Sequence, residues 1–515
     1  MSFIVSQKIK GRIYLYQVES YWDKEKKKAR QRRTYIGPKE RIRGGDVKPI
    51  LSELSVKHYG NIALLEYIAE KTHLLPILKK NFRADYREIL ALAWFQITES
   101  DADYLFPYWL GEQYLEQVRM LYSTDISGLY ERIGRNQKAI KQFTGEWIGN
   151  MQPIEGIYYD ITSFSSYSTG IDYVEWGYNR DKEDLPQINM GMVCCQNSGL
   201  PFFYKLFPGS IVDVSTIRNL LKDLQAYHLK NLLMVMDRGF FSTSNITSIA
   251  ASEQQITFLQ PLPFSLKATK ELVKRNARKL KDVNTAFKYH QEIVHHTVDR
   301  ITFGKQDFQA HIFFNEKAAI DGRHQFLVKL LEIEGGLTRL RFSSQTEMQE
   351  RLQAQVAEKY RRFFSWDKRT GAIKRNKTKI NEHTANMGYM VIATNAQQMD
   401  RYIVLHHYRD KDKVEKVFDG VKNHIDGNRL RVHSGYNLEG KMFVRYIALI
   451  LYMYITKVMR EKKLFEKYSI REMIKELAKI KMIKHENMEP FISEISKNKK
   501  IFLRTSVWKY PEHSY

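Results

Sequence analysis

Cysteine is almost absent from this sequence of 515 residues, which contains only Cys194 and Cys195. The two are adjacent in a strand-like run, where neighbouring side chains point to opposite faces, so we expect no ordinary disulfide between them. The sequence also has no CxxC pair and no Cys/His spacing typical of a zinc site. These absences exclude a disulfide scaffold and a zinc-finger domain, and they favour a reducing, cytoplasmic compartment.

Long apolar segments are also missing. Residues 1–12 contain no apolar core of the kind found in a signal peptide. The most apolar stretch, Met442 to Val458, is interrupted by Arg445 and is shorter than the roughly 20 residues of a membrane span. We therefore expect residues 442–458 to form a buried helix of a soluble protein that has no membrane partner.

Acidic residues are the minority among the charges. The 58 Asp and Glu stand against 82 Lys and Arg, which gives a net charge of +24. A field of this sign attracts polyanions, so nucleic acid is the favoured partner, with a membrane surface or an unspecific basic surface as alternatives. Because single cores rarely exceed about 250–300 residues, the length predicts more than one domain.

The first third of the sequence predicts two regions. Residues 1–50 form a basic N-terminal region, in which 12–37 have the pattern of a β-hairpin with a basic tip that either contacts DNA or is a solvated loop. In residues 51–150 apolar side chains recur at helical spacing, and we expect this helical region to bind DNA. Residues 125–134 have the pattern of two short helices around a Gly turn, which would allow a helix-turn-helix.

The pattern changes at residue 151. A core of strands and helices is predicted over residues 151–260 and 387–460, including a long helix from about 398 to 425. Residues 261–386 interrupt this alternation of strands and helices. They contain strand-like pieces at 309–314 and 325–331, and they predict an inserted β-rich subdomain. Residues 461–515 predict a charged, helical C-terminal region. The strands expected to share the core sheet lie near 157–164, 188–195, 201–207, 232–237 and 256–259.

Two acidic residues stand out because each lies within or at the end of a strongly apolar strand. Asp160 follows Ile157-Tyr-Tyr, and Asp237 follows Leu232-Leu-Met-Val-Met. An ionised carboxylate is costly in such a setting unless a cation compensates it. One such Asp is often a cap or a salt-bridge partner, but two on strands of one sheet favour a site for Mg²⁺ or Mn²⁺.

The predicted helix near residue 408 supplies a third acid. At helical spacing Tyr408, Lys411, Glu415 and Lys422 fall within one arc about 60° wide, beside the apolar face of the helix. An ordinary amphipathic helix with solvated charges is the alternative interpretation.

These residues carry a family resemblance. The spacing Tyr408-x2-Lys411-x3-Glu415-x6-Lys422 resembles the Tyr-x2-Arg-x3-Glu-x6-Lys signature of a subgroup of bacterial insertion-sequence transposases of the DDE class. Lys411 replaces the usual Arg and lacks its planar fork. The contexts Tyr-Tyr-Asp160-Ile-Thr-Ser and Val-Met-Asp237-Arg-Gly-Phe-Phe resemble those of the first and second family acids.

The resemblance implies an α/β fold: a ribonuclease-H-like mixed sheet core with an inserted β-rich subdomain and helical N- and C-terminal regions. It implies that Asp160, Asp237 and Glu415 are catalytic and bind two Mg²⁺ or Mn²⁺ ions, which act on both oxygens of an in-line displacement. It implies that the remaining three signature residues contact DNA near the cut, and Trp366 is either a base-stacking partner or a core residue. The three DNA-contacting residues are Tyr408, Lys411 and Lys422.

The activity implied is cleavage at the terminal inverted repeats of an element and transfer of the 3′-OH ends to target DNA. The partner is double-stranded DNA, and pairing of two ends implies a homodimer in a nucleoid-associated, bacterial cytoplasmic complex. A silent DNA-binding repressor derived from a transposase and a ribonuclease-H-like nuclease without strand transfer are the alternatives. A near match to a phosphate-binding loop, Gly435 to Met442, lacks the Ser/Thr that binds Mg²⁺ and is expected to start the buried helix instead.

Overall fold

The structure is a computed structural model that divides into two compact units. The first comprises described parts of residues 1–58 and 480–495, and the second comprises described parts of 59–479. The residues that the structure describes are 2–9, 12–23, 28–38, 54–168, 170–178, 183–337, 342–411, 429–430, 432–485 and 488–493.

The secondary structure is mixed α/β, with strands and helices along the whole described chain. The strands are β1 (Ser2–Ile9), β2 (Arg12–Asp23), β3 (Lys28–Pro38), β4 (Ser55–His58), β5 (Gly156–Ser166), β6 (Gln187–Cys195), β7 (Pro201–Pro208), β8 (Leu233–Val235), β9 (Thr257–Pro261), β10 (Ala286–Tyr289), β11 (Glu292–Phe303), β12 (Gln306–Phe314), β13 (Phe364–Trp366), β14 (Ile373–Arg375), β15 (Tyr389–Thr394), β16 (Arg429–Leu430), β17 (Lys481–His485) and β18 (Met488–Ile492). The helices are α1 (Gly60–Lys71), α2 (Leu74–Asn81), α3 (Tyr86–Thr98), α4 (Phe106–Glu112), α5 (Ser123–Arg135), α6 (Gln137–Asn150), α7 (Asp213–Ala226), α8 (Thr243–Ala250), α9 (Lys267–Asn276), α10 (Glu316–Leu337), α11 (Gln345–Gln355), α12 (Glu358–Arg361), α13 (Lys377–Thr384), α14 (401–411), α15 (Gly435–Glu461) and α16 (Ile470–Ala478).

The first unit is built from antiparallel strands. Strands β1, β2 and β3 form one sheet, and β18, β17 and β4 form another. Residues 28–33, expected in the basic hairpin tip, belong to β3, while 24–27 of that tip lie outside the described residues. Residues 481–492, expected to be helical, form β17 and β18 instead, because β17 pairs with β4 across the chain.

Helices α1 to α6 confirm the helical pattern over residues 60–150, whereas Ser55–His58 form the strand β4. The helix-turn-helix expectation at residues 125–134 is wrong, because α5 runs without a break through Gly128. Helix α15 confirms the buried helix expected at 442–458: it is long and apolar enough to cross a membrane, but 83% of its most apolar window is buried in the protein. Gly435 begins this helix behind the cap of Ser434, so the resemblance to a phosphate-binding loop is only one of sequence.

A large mixed sheet organises the second unit. Its strand order is β10-β11-β12-β15-β9-β8-β5-β6-β7, with β16 paired to the end of β5. Strands β5, β8 and β9 are mutually parallel, and β6 is buried along its whole length. Apolar runs such as Leu232–Met236 suit strands that are covered on both faces. The five strands expected in the core sheet therefore do share one sheet.

Residues 261–386 differ from the expected β-rich insertion. Strands β10, β11 and β12 extend the main sheet through β15. The expected strand at 325–331 is wrong, because these residues lie inside α10. A short apolar run fits the spacing of a strand as well as that of a helix. Here Phe326 and Leu330, four residues apart, are both buried in one small core, as expected for a helix. The domain boundaries themselves stay a prediction.

Helices α5 and α15 cross in direct backbone contact. A Cβ atom built on Gly440 would lie 1.9 Å from the carbonyl oxygen of Tyr130, and one on Gly134 would lie 2.0 Å from the carbonyl oxygen of Tyr436. Only a residue without a side chain lets two helix backbones approach this closely. The position of α15 against the N-terminal helices depends on these two glycines.

A histidine pair is buried between β11 and β12. His296 Nε2 lies 3.0 Å from His311 Nδ1, and His311 is fully buried. Burial, joined by the neighbouring His311, lowers the pKa of His296 from 6.5 to about 3, and burial lowers the pKa of His311 to about 4. Arg401 and Lys279 lower the pKa of His296 further, while Asp400 raises both values. Both imidazoles are neutral in the folded protein at neutral pH.

This pair should make the protein sensitive to acid. As the pH falls from 6.5 toward 4, the unfolded chain takes up protons that the folded chain does not, so stability is lost through this window. The loss should be about 1.4 kcal/mol per pH unit for each proton. Replacing His311 by Gln should flatten the pH dependence of the free energy of unfolding, measured by urea denaturation. His324→Gln, at an exposed position in α10, is the control, and an unchanged slope in His311→Gln would contradict the prediction.

Candidate active site

The parallel pairing of β5 and β8 ends two residues before each of the two candidate acids. Tyr158 lies opposite Val235, and continuing this register by two residues places Asp160 opposite Asp237. The backbone at Asp237 is extended, with φ −83° and ψ 165°. Opposed residues of neighbouring strands lie about 5 Å apart and point to the same face of the sheet. The register therefore predicts that two carboxylates distant in sequence face the same side at this end of the pairing.

The main chain at Asp237 is held from the neighbouring strand. Gln260 on β9 is fully buried, and its Nε2 donates to the carbonyl oxygens of Asp237 (2.9 Å) and Pro261 (3.0 Å). Beyond Asp237 the chain turns through Arg238–Phe240, and the buried Phe240 ring packs 5.0 Å from Tyr159. The backbone that presents the second acid is thus fixed on both sides.

Helix α14 brings a cation to the second acid. Lys411 Nζ is 3.8 Å from Asp237 Oδ1, and the Lys411 side chain is 2% exposed whereas that of Asp237 is 47% exposed. A buried ammonium needs an anion, and Asp237 supplies one. Of the signature residues that the structure describes, Lys411 therefore faces the acid, and Tyr408 is half-buried three residues before it.

Polar contacts from two directions hold α14 in place. His407 contacts Gln196 at the end of β6, and burial lowers the pKa of His407. On the outer side Arg409 pairs with Glu292 at 2.9 Å and lies 4.8 Å above the Tyr289 ring, so the β10–β11 hairpin contacts the helix. Strands from the region expected to be a separate insertion thus support the helix of the candidate site.

Glu415 and Lys422 lie outside the described residues. Among the described residues no group of three or more His, Cys, Asp or Glu side chains is arranged to hold a metal ion. Asp160 and Asp237 offer the hard oxygen donors that Mg²⁺ and Mn²⁺ prefer, and Asp237 is open to solvent on one side. The chemistry of this donor pair fits a divalent cation.

Sequence reasoning missed several residues of this site. Gln260 leaves a signal, because a polar residue in the apolar run of β9 needs a partner. The contact between Gln196 and His407 has no signal in the sequence, because the two residues are 211 positions apart. Trp366, weighed as a base-stacking residue, donates from Nε1 to the carbonyl oxygen of Phe342 (3.3 Å) and packs on the small core that contains α10. Its contacts favour the core-packing alternative.

One family model matches more than half of this chain. Residues 152–451 match the family model described as a transposase DDE domain, a stretch of more than half the chain. Among solved structures, the cryo-EM structure of a piggyBac transposase synaptic complex with hairpin DNA matches 76% of this chain and 70% of that chain, with a TM-score of 0.38 and 11% sequence identity. A comparison with curated proteins finds no match.

Proposed function

This chain belongs to the DDE-domain transposase family, and we propose that it is a bacterial insertion-sequence transposase of the Tyr-Arg-Glu-Lys subgroup. In this proposal it binds the terminal inverted repeats of its element, cuts there and transfers the 3′-OH ends to target DNA. It acts as a homodimer on DNA in the bacterial cytoplasm.

The observation that carries the proposal is the register between β5 and β8. Continued by two residues, this register supports a position for Asp160 beside Asp237, the two acids that the family motifs predict. The order β7-β6-β5-β8-β9 supports a ribonuclease-H-like core, because it is the third, second, first, fourth and fifth strand of the segment that begins at residue 156. Three antiparallel strands followed by two parallel ones suit that fold.

Glu415 is proposed as the third acid from its spacing to Lys411. Residues four apart lie on the same face of a helix, about 6 Å apart along its axis. Since Lys411 faces Asp237, a helix that continues beyond residue 411 would present Glu415 to the same face of the sheet. Asp160, Asp237 and Glu415 would then hold Mg²⁺ or Mn²⁺.

The chemistry proposed is in-line displacement at phosphorus without a covalent protein intermediate. A bound pair of divalent cations would supply charge stabilisation for the attacking and leaving oxygens. The protein contributes the fixed carboxylates, the brace of Gln260 on the Asp237 backbone, and the cation of Lys411, which balances Asp237 before DNA arrives. The net charge of +24 draws the DNA polyanion toward the protein.

A strand-transfer assay tests the function. A duplex that carries the element end, labelled on the transferred strand, is incubated with the full-length protein, Mg²⁺ or Mn²⁺, and a circular target. Joined product is expected. Cutting without joining would instead favour a nuclease on the same fold, and binding without cutting would favour a silent repressor; either outcome would contradict the proposal.

The signature cations give a quantitative prediction. Each phosphate contact contributes about −0.9 to the slope of log affinity against log salt on duplex DNA, so Lys422→Ala should flatten that slope by about one unit and weaken end binding. Lys411→Arg should keep activity, because Arg restores the usual signature residue and its charge. Filter-binding titrations over a range of salt concentrations measure the first effect. An unchanged slope together with unchanged cleavage in Lys422→Ala would rule out its contact with DNA.

A further inference from the structure

The segment Glu175–Tyr178, between β5 and β6, is docked on the sheet by its backbone. Glu175 and Gln187 exchange both main-chain hydrogen bonds (3.0 and 2.9 Å). A Cβ on Gly177 would lie 2.0 Å from the carbonyl oxygen of Gly209, and one on Gly209 would lie 2.0 Å from the carbonyl oxygen of Gln187. No side chain fits where two backbones approach this closely, so these contacts fix the position of the segment on the sheet.

Two buried amide side chains also hold the segment in this position. Gln187 is fully buried, and its Nε2 donates to the carbonyl oxygens of Tyr178 (2.9 Å) and Gly209 (3.2 Å). Asn189, which is 2% exposed, donates from Nδ2 to the carbonyl oxygens of Gly209 and Ile211, both at 3.2 Å. Buried polar groups with this many partners rigidify the chain that they contact.

The side chains that this rigid segment displays are large, aromatic and exposed. Trp176 is 63% exposed and Tyr178 is 83% exposed, and Val212 on the adjoining loop is 65% exposed. Isolated exposed apolar residues are common, but a fixed backbone that holds two aromatic rings in water is a preformed surface for a flat apolar partner. Fixing the backbone beforehand lowers the entropy lost when that partner binds.

The location favours DNA as the partner. Strands β5, β7 and β8 run in one direction, so the loops that follow them, including the one after Asp237, meet at the same edge of the sheet. Gly239 follows β8, and Asp213 comes directly after the loop that follows β7. A Cβ on Gly239 would lie 3.3 Å from Asp213 Oδ2, so these two parts of the chain are adjacent. Gln187 pairs opposite Ser165, which is five residues beyond Asp160 and so about 17 Å along the strand, a length of about five base steps of duplex DNA.

We propose that Trp176 and Tyr178 form a stacking surface for unpaired bases of the DNA strand that leads away from the cleavage site. Every base has a π-face, so such a surface is tolerant of sequence and selects single-stranded over paired DNA. The proposal rests on the proposed transposase function, and it concerns a surface outside the acids and the signature helix.

Fluorescence with the full-length protein tests the proposal. One probe is a duplex with a short single-stranded overhang that carries 2-aminopurine; the other has the same base paired within the duplex. The wild type should quench the overhang probe and bind it more tightly than the paired one. Trp176→Ala and Tyr178→Ala should each weaken overhang binding by about tenfold or more and reduce quenching, with paired-duplex binding unchanged. Trp176→Phe should restore most of the affinity.

The matched control is Phe465→Ala, at an aromatic residue beyond α15 that is 44% exposed. All variants should keep the wild-type melting temperature. Equal overhang affinity and quenching in the wild type, Trp176→Ala and Tyr178→Ala would overturn the stacking surface while leaving the transposase proposal intact. A change in oligomeric state with unchanged DNA binding would overturn it in favour of a second copy of the chain. Failure of the wild type to bind the paired duplex would overturn the DNA function as well.

Discussion

Replacing Asp237 by Asn should reduce cleavage of element-end DNA on the order of a thousandfold while leaving end binding near the wild-type level. Asn has the same shape but no charge, so it removes an anionic donor of the proposed divalent site. The hydrogen bond from Gln260 Nε2 is accepted by the main-chain carbonyl oxygen of Asp237. The variant keeps this bond, so the backbone should not move. Binding and cleavage are measured on one labelled duplex, by gel shift without divalent cation and by product formation with it.

The matched control for this experiment is Asp223→Asn. Asp223 lies on α7, also carries a cationic partner, Lys205 at 2.8 Å, and is not part of the candidate site. It should cleave like the wild type, which separates loss of a metal-binding acid from loss of any salt-bridged acid. Asp160→Asn should match Asp237→Asn. Normal cutting by Asp237→Asn, with wild-type stability, would remove this acid from the active site.

Replacing Gly440 by Ala should cost more than the usual 1–3 kcal/mol of an overpacked core, on the order of 4 kcal/mol in the free energy of unfolding. The added methyl group would lie 1.9 Å from the carbonyl oxygen of Tyr130, and the contact atom is backbone, which cannot rotate aside. Helices α5 and α15 must therefore separate, which exposes apolar surface along both. Thermal and urea unfolding measure the effect.

Gly435→Ala is the matched control on the same helix. A Cβ on Gly435 would meet no heavy atom within 4 Å, so this change should be neutral or slightly stabilising because Ala favours a helix. Gly134→Ala, which meets the carbonyl oxygen of Tyr436, should behave like Gly440→Ala. Equal stability of the Gly435 and Gly440 variants would show that the two helices can repack without loss.

The sequence by itself determined the parts of this protein that depend on local pattern. Continuous apolar runs predicted the strands around Asp160 and Asp237, because strands covered on both faces need apolar side chains throughout. Helical spacing predicted the buried helix α15. Fixed spacing around Tyr408 and Lys411 carried the family resemblance, since residues that share one helix face must recur at that interval.

Only the tertiary structure decided which distant residues meet. The neighbouring positions of Asp160 and Asp237 depend on the register between β5 and β8, and the burial of Lys411 beside Asp237 depends on how α14 packs on that sheet. Residues 325–331 became helical because α10 buries Phe326 and Leu330 against its own small core, although the run alone fits a strand. Local periodicity encodes which face of an element is buried, but pairing across hundreds of residues is selected by packing, which a single stretch of sequence does not contain.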